Sequence, residues 1–198
     1  MSSLAEKTLL IGVGAQKAGT TWLFEYLLAH PEVYMSHFKE MHVFDHRHVY
    51  SADNLRSILM ARIAAVSAAI ANKKGIECEP LYKKLLTSVQ KSAMIDNLDY
   101  YMDYFKQGVK SEKIFGEITP AYSLLPDNGY KEIQSLHPNV KFIFIMRDPI
   151  KRAWSHINDE LDRKGIICND EEKLEEIFHS SPKNKYFMKS NYEKTLRT

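Results

Sequence analysis

Leu9-Leu10-Ile11-Gly12-Val13-Gly14-Ala15-Gln16-Lys17-Ala18-Gly19-Thr20-Thr21-Trp22-Leu23 is the stretch on which the fold turns. Leu9 to Val13 is a short apolar run of the kind that forms a buried strand. Gly14 to Gly19 reads as a loop, and Thr20 to Ala29 as a helix with Trp22, Leu23, Tyr26 and Leu27 on one side. Pro31 ends that helix, because the residue before a proline disfavours the helical conformation. Strand, glycine-bearing loop and helix together make a phosphate cradle. The loop turns backbone N–H groups inward, and the helix N-terminus adds positive potential. Lys17 can add a charge, and Thr20 and Thr21 can add hydroxyl donors. The common nucleoside-triphosphate loop, G-x-x-x-x-G-K-[ST], places its lysine after the last glycine. Here the order from Gly14 is G-A-Q-K-A-G-T-T, with the lysine before it. A kinase reading loses most of its weight on that displacement.

Outward from this unit, strands and helices alternate. Val33 to Met35 reads as a strand, and Asp53 to Lys74 as a long helix. In that helix Leu55, Ile58, Leu59, Ile63, Val66 and Ile70 form a stripe expected to pack on a sheet. Leu81 to Val89 and Asp96 to Phe105 read as helices, Lys113 to Glu117 as a strand, and Tyr130 to Leu136 as a helix. Val140 to Met146 is the clearest candidate for a buried strand. Asp148 and Pro149 then suit the N-cap and first position of another helix, with Ala153, Trp154, Ile157 and Leu161 on its apolar side. The alternation predicts an α/β fold, a single domain with a mainly parallel central sheet flanked by helices. The chain has 198 residues, enough for one such domain.

The composition narrows the function classes. A net charge of +2 argues against a nucleic-acid partner, so any anion site must be local. Two cysteines, Cys78 and Cys168, match no zinc or redox spacing and read as reduced thiols of a soluble, cytoplasmic protein. No apolar run approaches the roughly 20 residues of a membrane span. His42, His46 and His48 lie close in sequence, but their spacing fits no standard metal site, and they read as surface or cleft histidines.

A second anion site is written in Met146-Arg147-Asp148-Pro149. It puts Arg147 at the exit of a strand, where ligands of parallel sheets bind. Arginine offers paired N–H donors to phosphate. Ser155, in the helix that follows, can add a hydroxyl. The plain alternatives are that Arg147 pairs with a carboxylate and that Ser155 only packs. Taken together, GAQKAGTTWLFEYLLAHPEV and KFIFIMRDPIKRAWSHI resemble the sulfotransferase family. So do Lys39-Glu40-Met41-His42-Val43-Phe44-Asp45 and Gly116-Glu117-Ile118-Thr119-Pro120-Ala121-Tyr122, which are similar to segments lining the acceptor cleft in the branch with heparan sulfate sulfotransferases and bacterial relatives. Residues 46 to 112 match poorly, and acceptor choice should reside there.

The resemblance implies a P-loop-like sulfotransferase domain over residues 1–198, incomplete at its C-terminus, that uses 3′-phosphoadenosine-5′-phosphosulfate as donor. It implies that Gln16, Lys17, Ala18, Gly19, Thr20 and Thr21 hold the 5′-phosphosulfate end, and that Arg147 and Ser155 hold the 3′-phosphate. Lys17 steadies the departing oxygen, Glu40 is the leading general base, and His42 is the runner-up. His42 and Asp45 match the same branch. No metal is expected. The acceptor is a hydroxyl or amine of a glycan, lipid or small molecule. Ile118 replaces the lysine that heparan-type 3-O-sulfotransferases carry, which weighs against a polyanionic glycan. Two other readings stay open: a P-loop kinase of a small molecule and a non-catalytic nucleotide-binding module. Stabilisation by adenosine 3′,5′-bisphosphate rather than by ATP with magnesium separates them from the first.

Overall fold

The computed structural model describes residues 3–50, 52–72, 78–165 and 188–197. Four strands form one sheet: β1 (Thr8–Gly14), β2 (Val33–Met35), β3 (Ile114–Ile118) and β4 (Val140–Phe144). Their order is β2-β3-β1-β4 and every neighbouring pair is parallel. Ile11 sits opposite Glu117 on one side and Phe142 on the other. The helices are α1 (Thr20–Leu28), α2 (Val43–His48), α3 (Ala52–Ala71), α4 (Glu79–Asp96), α5 (Leu98–Gly108), α6 (Asp127–Ser135), α7 (Pro149–Lys164) and α8 (Tyr192–Arg197). This is the expected α/β domain with a parallel sheet between helices. Among the described residues, no helix is long and apolar enough to cross a membrane.

The period-two alternation of the strands divides the core. Leu9, Ile11, Val13 and Phe115 face the larger cluster, which α2 and α5 fill with Val43, Phe44, Tyr101 and Phe105. The opposite face holds Ile118, Val33 and Met35 under Phe24 of α1. β1 is central and buried from Leu9 onward, as a two-sided parallel strand must be. β3 closes on it at Gly116, where a Cβ would lie 1.8 Å from the Leu10 carbonyl oxygen.

Several expectations are corrected by this arrangement. The strand expected to be buried, Val140–Phe144 in the structure, is not: among the described residues it lies at the sheet edge, and its residues are half-buried or exposed. The α3 stripe packs on α4, not on the sheet, and only Leu59 of its described members is buried. Trp22 and Tyr26 do not face the core. They stack on each other at 5.6 Å between ring centroids, exposed, while Phe24 takes the inward position with Leu23 and Leu27 beside it. In α7, Ala153, Ile157 and Leu161 are buried as expected, but Trp154 is exposed. Cys78 is a buried free thiol, and Cys168 lies outside the described residues.

Candidate active site

From β1 the chain crosses through α1 to β2, which lies on one side of β1 beyond β3, while β4 pairs with β1 on the other side. The carboxyl ends of β1 and β4 therefore border the crevice in which open α/β sheets bind ligands. Pairing of these strands extends past their ends through Ala15 N–H to Ile145 O, 2.8 Å, and fixes where the loop begins. Lys17 has a φ of 66° and Gly19 a φ of 95°. Both lie in the left-handed region, which turns the loop sharply into α1. Gly19 is the N-cap and offers no side chain, so the first N–H groups of α1 are left for an external acceptor.

A cleft of about 390 Å³ opens here, lined by Gln16, Lys17, Gly19, Thr20, Thr21, Lys39, Glu40, Pro120, Ser155 and Asp159. It brings together residues separated by more than half of the chain. Lys17 and Glu40 share it, as do the threonines and Ser155. Arg147 does not line the cleft but clamps its floor, with its Nη1 donating to the Lys17 carbonyl at 2.9 Å. It pairs with no carboxylate among the described residues. Tyr192 of α8 holds the Arg147 backbone, donating its hydroxyl to the carbonyl at 2.7 Å. Two expected phosphate ligands are already engaged in this loop conformation. Ala18 donates its N–H to Ala15 O at 3.2 Å. The Gln16 side-chain oxygen accepts from Lys189.

The Asp148 carboxylate caps α7 as expected, accepting from Lys151 N–H at 2.8 Å. The helix then presents Arg152, Ser155 and Asp159 along one face, spaced by a helical turn. Asp159 lies 3.0 Å from the Lys17 ammonium, which holds its carboxyl below the usual range. Arg152 is fully buried. It donates to the Gln16 carbonyl at 3.4 Å and to the Ser190 hydroxyl, and its Nη2 has no partner. Burial pushes its pKa down. Sequence reasoning missed both residues, although their helical spacing from Ser155 was a usable signal.

On the other wall, Glu40 Oε2 is 3.1 Å from His42 Nε2, and His42 Nδ1 is 2.7 Å from buried Asp45 Oδ2. Burial opposes the charge on His42, but hydrogen bonds to Asp45 and Glu40, with their negative charges, prevail and raise it to about 9. The same hydrogen bond from His42 holds Glu40 below the usual carboxylate range, against its burial. Glu40 and His42 thus form an ion pair that carries one proton between them. The nearby histidines divide. His48 sits 2.7 Å from Glu132, whereas His42 and His46 converge with Asp45.

Glu117 explains how this wall is held. It is fully buried on β3, which pushes its carboxyl up. It accepts from the hydroxyls of Tyr101 at 2.9 Å, Tyr122 at 3.0 Å and Thr119 at 2.5 Å. It also accepts from the Met41 N–H at 3.3 Å, which Thr119 Oγ1 shares at 3.0 Å. Tyr122 in turn accepts from Val43 N–H at 3.1 Å. Residues 116–122 therefore support the Glu40–His42 segment from beneath, and Pro120 is their contribution to the cleft lining. Ile118 is buried on the opposite face with Phe24 and Met35, away from the cleft.

The sulfotransferase family model matches residues 10–165, a span that holds every residue of this site. The chain belongs to the sulfotransferase family. A solved sulfotransferase structure from Alicyclobacillus acidocaldarius shares the fold at a TM-score of 0.57 and 24% identity, over 96% of this chain and 67% of that one. No curated protein matches the chain significantly. Membership makes sulfuryl transfer the general activity.

Proposed function

We propose that the protein transfers a sulfuryl group from 3′-phosphoadenosine-5′-phosphosulfate to a hydroxyl or amine of a glycan, lipid or small molecule, without a metal in the transfer step. The observation that carries this reading is the shared cleft, in which the Lys17 loop and Ser155 face the Glu40 wall. The N-terminus of α1, Gly19, Thr20 and Thr21 hold the 5′-phosphosulfate. Arg147 and Ser155 hold the 3′-phosphate. Arg152 adds a buried positive charge behind the loop, and a donor phosphate supplies the counter-charge that burial demands.

In this mechanism the acceptor O–H or N–H proton passes to the Glu40–His42 pair as the oxygen or nitrogen forms its bond to sulfur. The bond from sulfur to the 5′-phosphate oxygen breaks in line, and adenosine 3′,5′-bisphosphate leaves. Lys17 neutralises the charge that builds on that departing oxygen. Alignment and fixed charge do most of the work, as in phosphoryl transfer. Asp45 orients His42 and supports its charge.

Labelled donor with acceptor pools tests the reaction, and thermal shift tests the donor. Adenosine 3′,5′-bisphosphate at 100 times its Kd should stabilise the fold by about 2.7 kcal/mol, and ATP with magnesium should do much less. The reverse order would replace this reading with a kinase, and stabilisation by the bisphosphate without transfer to any pool would leave a binding module.

A further inference from the structure

We propose that His42, Asp45 and His46 form a binding site for a divalent transition-metal ion of the zinc class. The inference goes beyond sulfuryl transfer and stands without it. His42 is the N-cap of α2, and Asp45 and His46 lie in the first turn after it. One ligand atom from each lies within 4.8 Å of the other two. Asp45 is fully buried, and its Oδ1 has no hydrogen-bond partner among the described residues. The His46 Nδ1 is likewise buried and without a partner. Two unsatisfied polar atoms on neighbouring residues are costly in a protein interior, and one cation satisfies both once the proton of the His46 ring sits on its other nitrogen.

The donor set selects the metal. Two imidazoles and one carboxylate suit zinc and its neighbours, whereas magnesium and calcium take all-oxygen sites. Three protein ligands leave a position for water. His42 Nδ1 now bonds to the other Asp45 oxygen, and the incoming ion takes the place of that proton, which leaves to solvent. The opposite ring nitrogen is already set for such a role. Its neighbour is the Glu40 carboxylate, 3.1 Å away, and metal-bound imidazoles usually direct their second nitrogen to a carboxylate. His48 is held by Glu132 and lies outside the set.

The test uses the whole chain, stripped with a chelator and titrated with zinc by calorimetry, then with cobalt by visible absorption. One equivalent of zinc is expected, with cobalt giving a low-coordinate ligand-field spectrum free of the thiolate band that Cys78 or Cys168 would produce. His46→Ala, at a half-buried position, should weaken zinc by more than the ~10–100-fold that loss of an outer-shell partner costs. Asp45→Asn should do the same where it folds, and His48→Ala should bind like wild type. Absence of stoichiometric zinc, a thiolate band, unchanged affinity in His46→Ala, or equal loss in His48→Ala overturns the site. None of these readouts needs donor or acceptor, so failure of the sulfuryl-transfer reading leaves them unaffected.

Discussion

The Lys17 ammonium meets the Asp159 carboxylate at 3.0 Å, joining the phosphate loop to α7 inside the cleft. In the proposed reaction a donor phosphate must draw Lys17 away from a standing partner. Lys17→Ala is expected to cut turnover ~10²–10³-fold, with a smaller loss in affinity for adenosine 3′,5′-bisphosphate, because the charge matters most on the leaving oxygen. Asp159→Asn should tighten bisphosphate binding by up to about fivefold, the upper end of what a partly exposed ion pair contributes. Calorimetry on both variants checks this, and weaker binding in Asp159→Asn would mean that the carboxylate organises the site instead of competing for Lys17.

Arg152 presents a buried charge with an unpartnered Nη2 behind the loop. Arg152→Met is expected to weaken bisphosphate binding by roughly 10–100-fold, the cost of a lost charged hydrogen bond. Arg152→Lys should fall between the two. A merely structural arginine gives another pattern, with lower melting temperature in both variants and unchanged affinity in the folded fraction.

The unit that holds Lys17 was legible because it is local: strand, loop and helix are contiguous, and Gly14 and Gly19 bracket the loop. Glu40, His42 and Asp45 were reachable only through resemblance, since nothing in a Lys-Glu pair marks a cleft carboxylate. Periodicity gave each element's apolar positions but not its neighbour. Val140–Phe144 has the composition of a central strand yet lies at the edge, and the α3 stripe meets α4. Aromatic residues misled for a related reason. Trp22 and Tyr26 satisfy helical spacing but bury area against each other, which a one-dimensional pattern cannot distinguish from packing on the sheet. Asp159 and Arg152 belong to the site only because α7 turns toward the loop.

The Glu40–His42 pair predicts a pH signature. His42 is raised to about 9 from an ordinary 6.5, so its stabilising contribution is complete below about pH 6.5 and is lost as pH climbs through 9. Chemical denaturation across that window should show falling stability in wild type and a flatter profile in His42→Gln. Under saturating donor, kcat/KM for acceptor should rise toward pH 9, because the imidazolium must give up its proton before the pair can take one from the acceptor. Glu40→Gln should cost ~10²–10⁴ in turnover and move the His42 titration, followed by imidazole NMR, to lower pH. A flat rate profile with an unmoved His42 resonance would separate the two residues.

Glu117 supports the Glu40 wall without reaching the cleft. Four donors converge on its carboxylate from Tyr101, Tyr122, Thr119 and the Met41 backbone. Glu117→Gln replaces one acceptor oxygen by an amide donor facing hydroxyls that already donate, so at least one buried group loses its partner at a cost of ~1–3 kcal/mol. An amide nitrogen in the place of Oε2 faces the Thr119 hydroxyl and the Met41 N–H, the groups that fix the segment between Glu40 and His42. The expected outcome is a lower melting temperature together with a fall in kcat at saturating donor, while bisphosphate affinity stays near wild type because the Lys17 loop and α7 do not depend on Glu117. Tyr101→Phe removes one of the four donors and should give a milder version of the same pattern. Calorimetric unfolding and bisphosphate titration on each variant decide the matter: equal losses of donor affinity and turnover would show that Glu117 supports the whole domain and not the Glu40 wall.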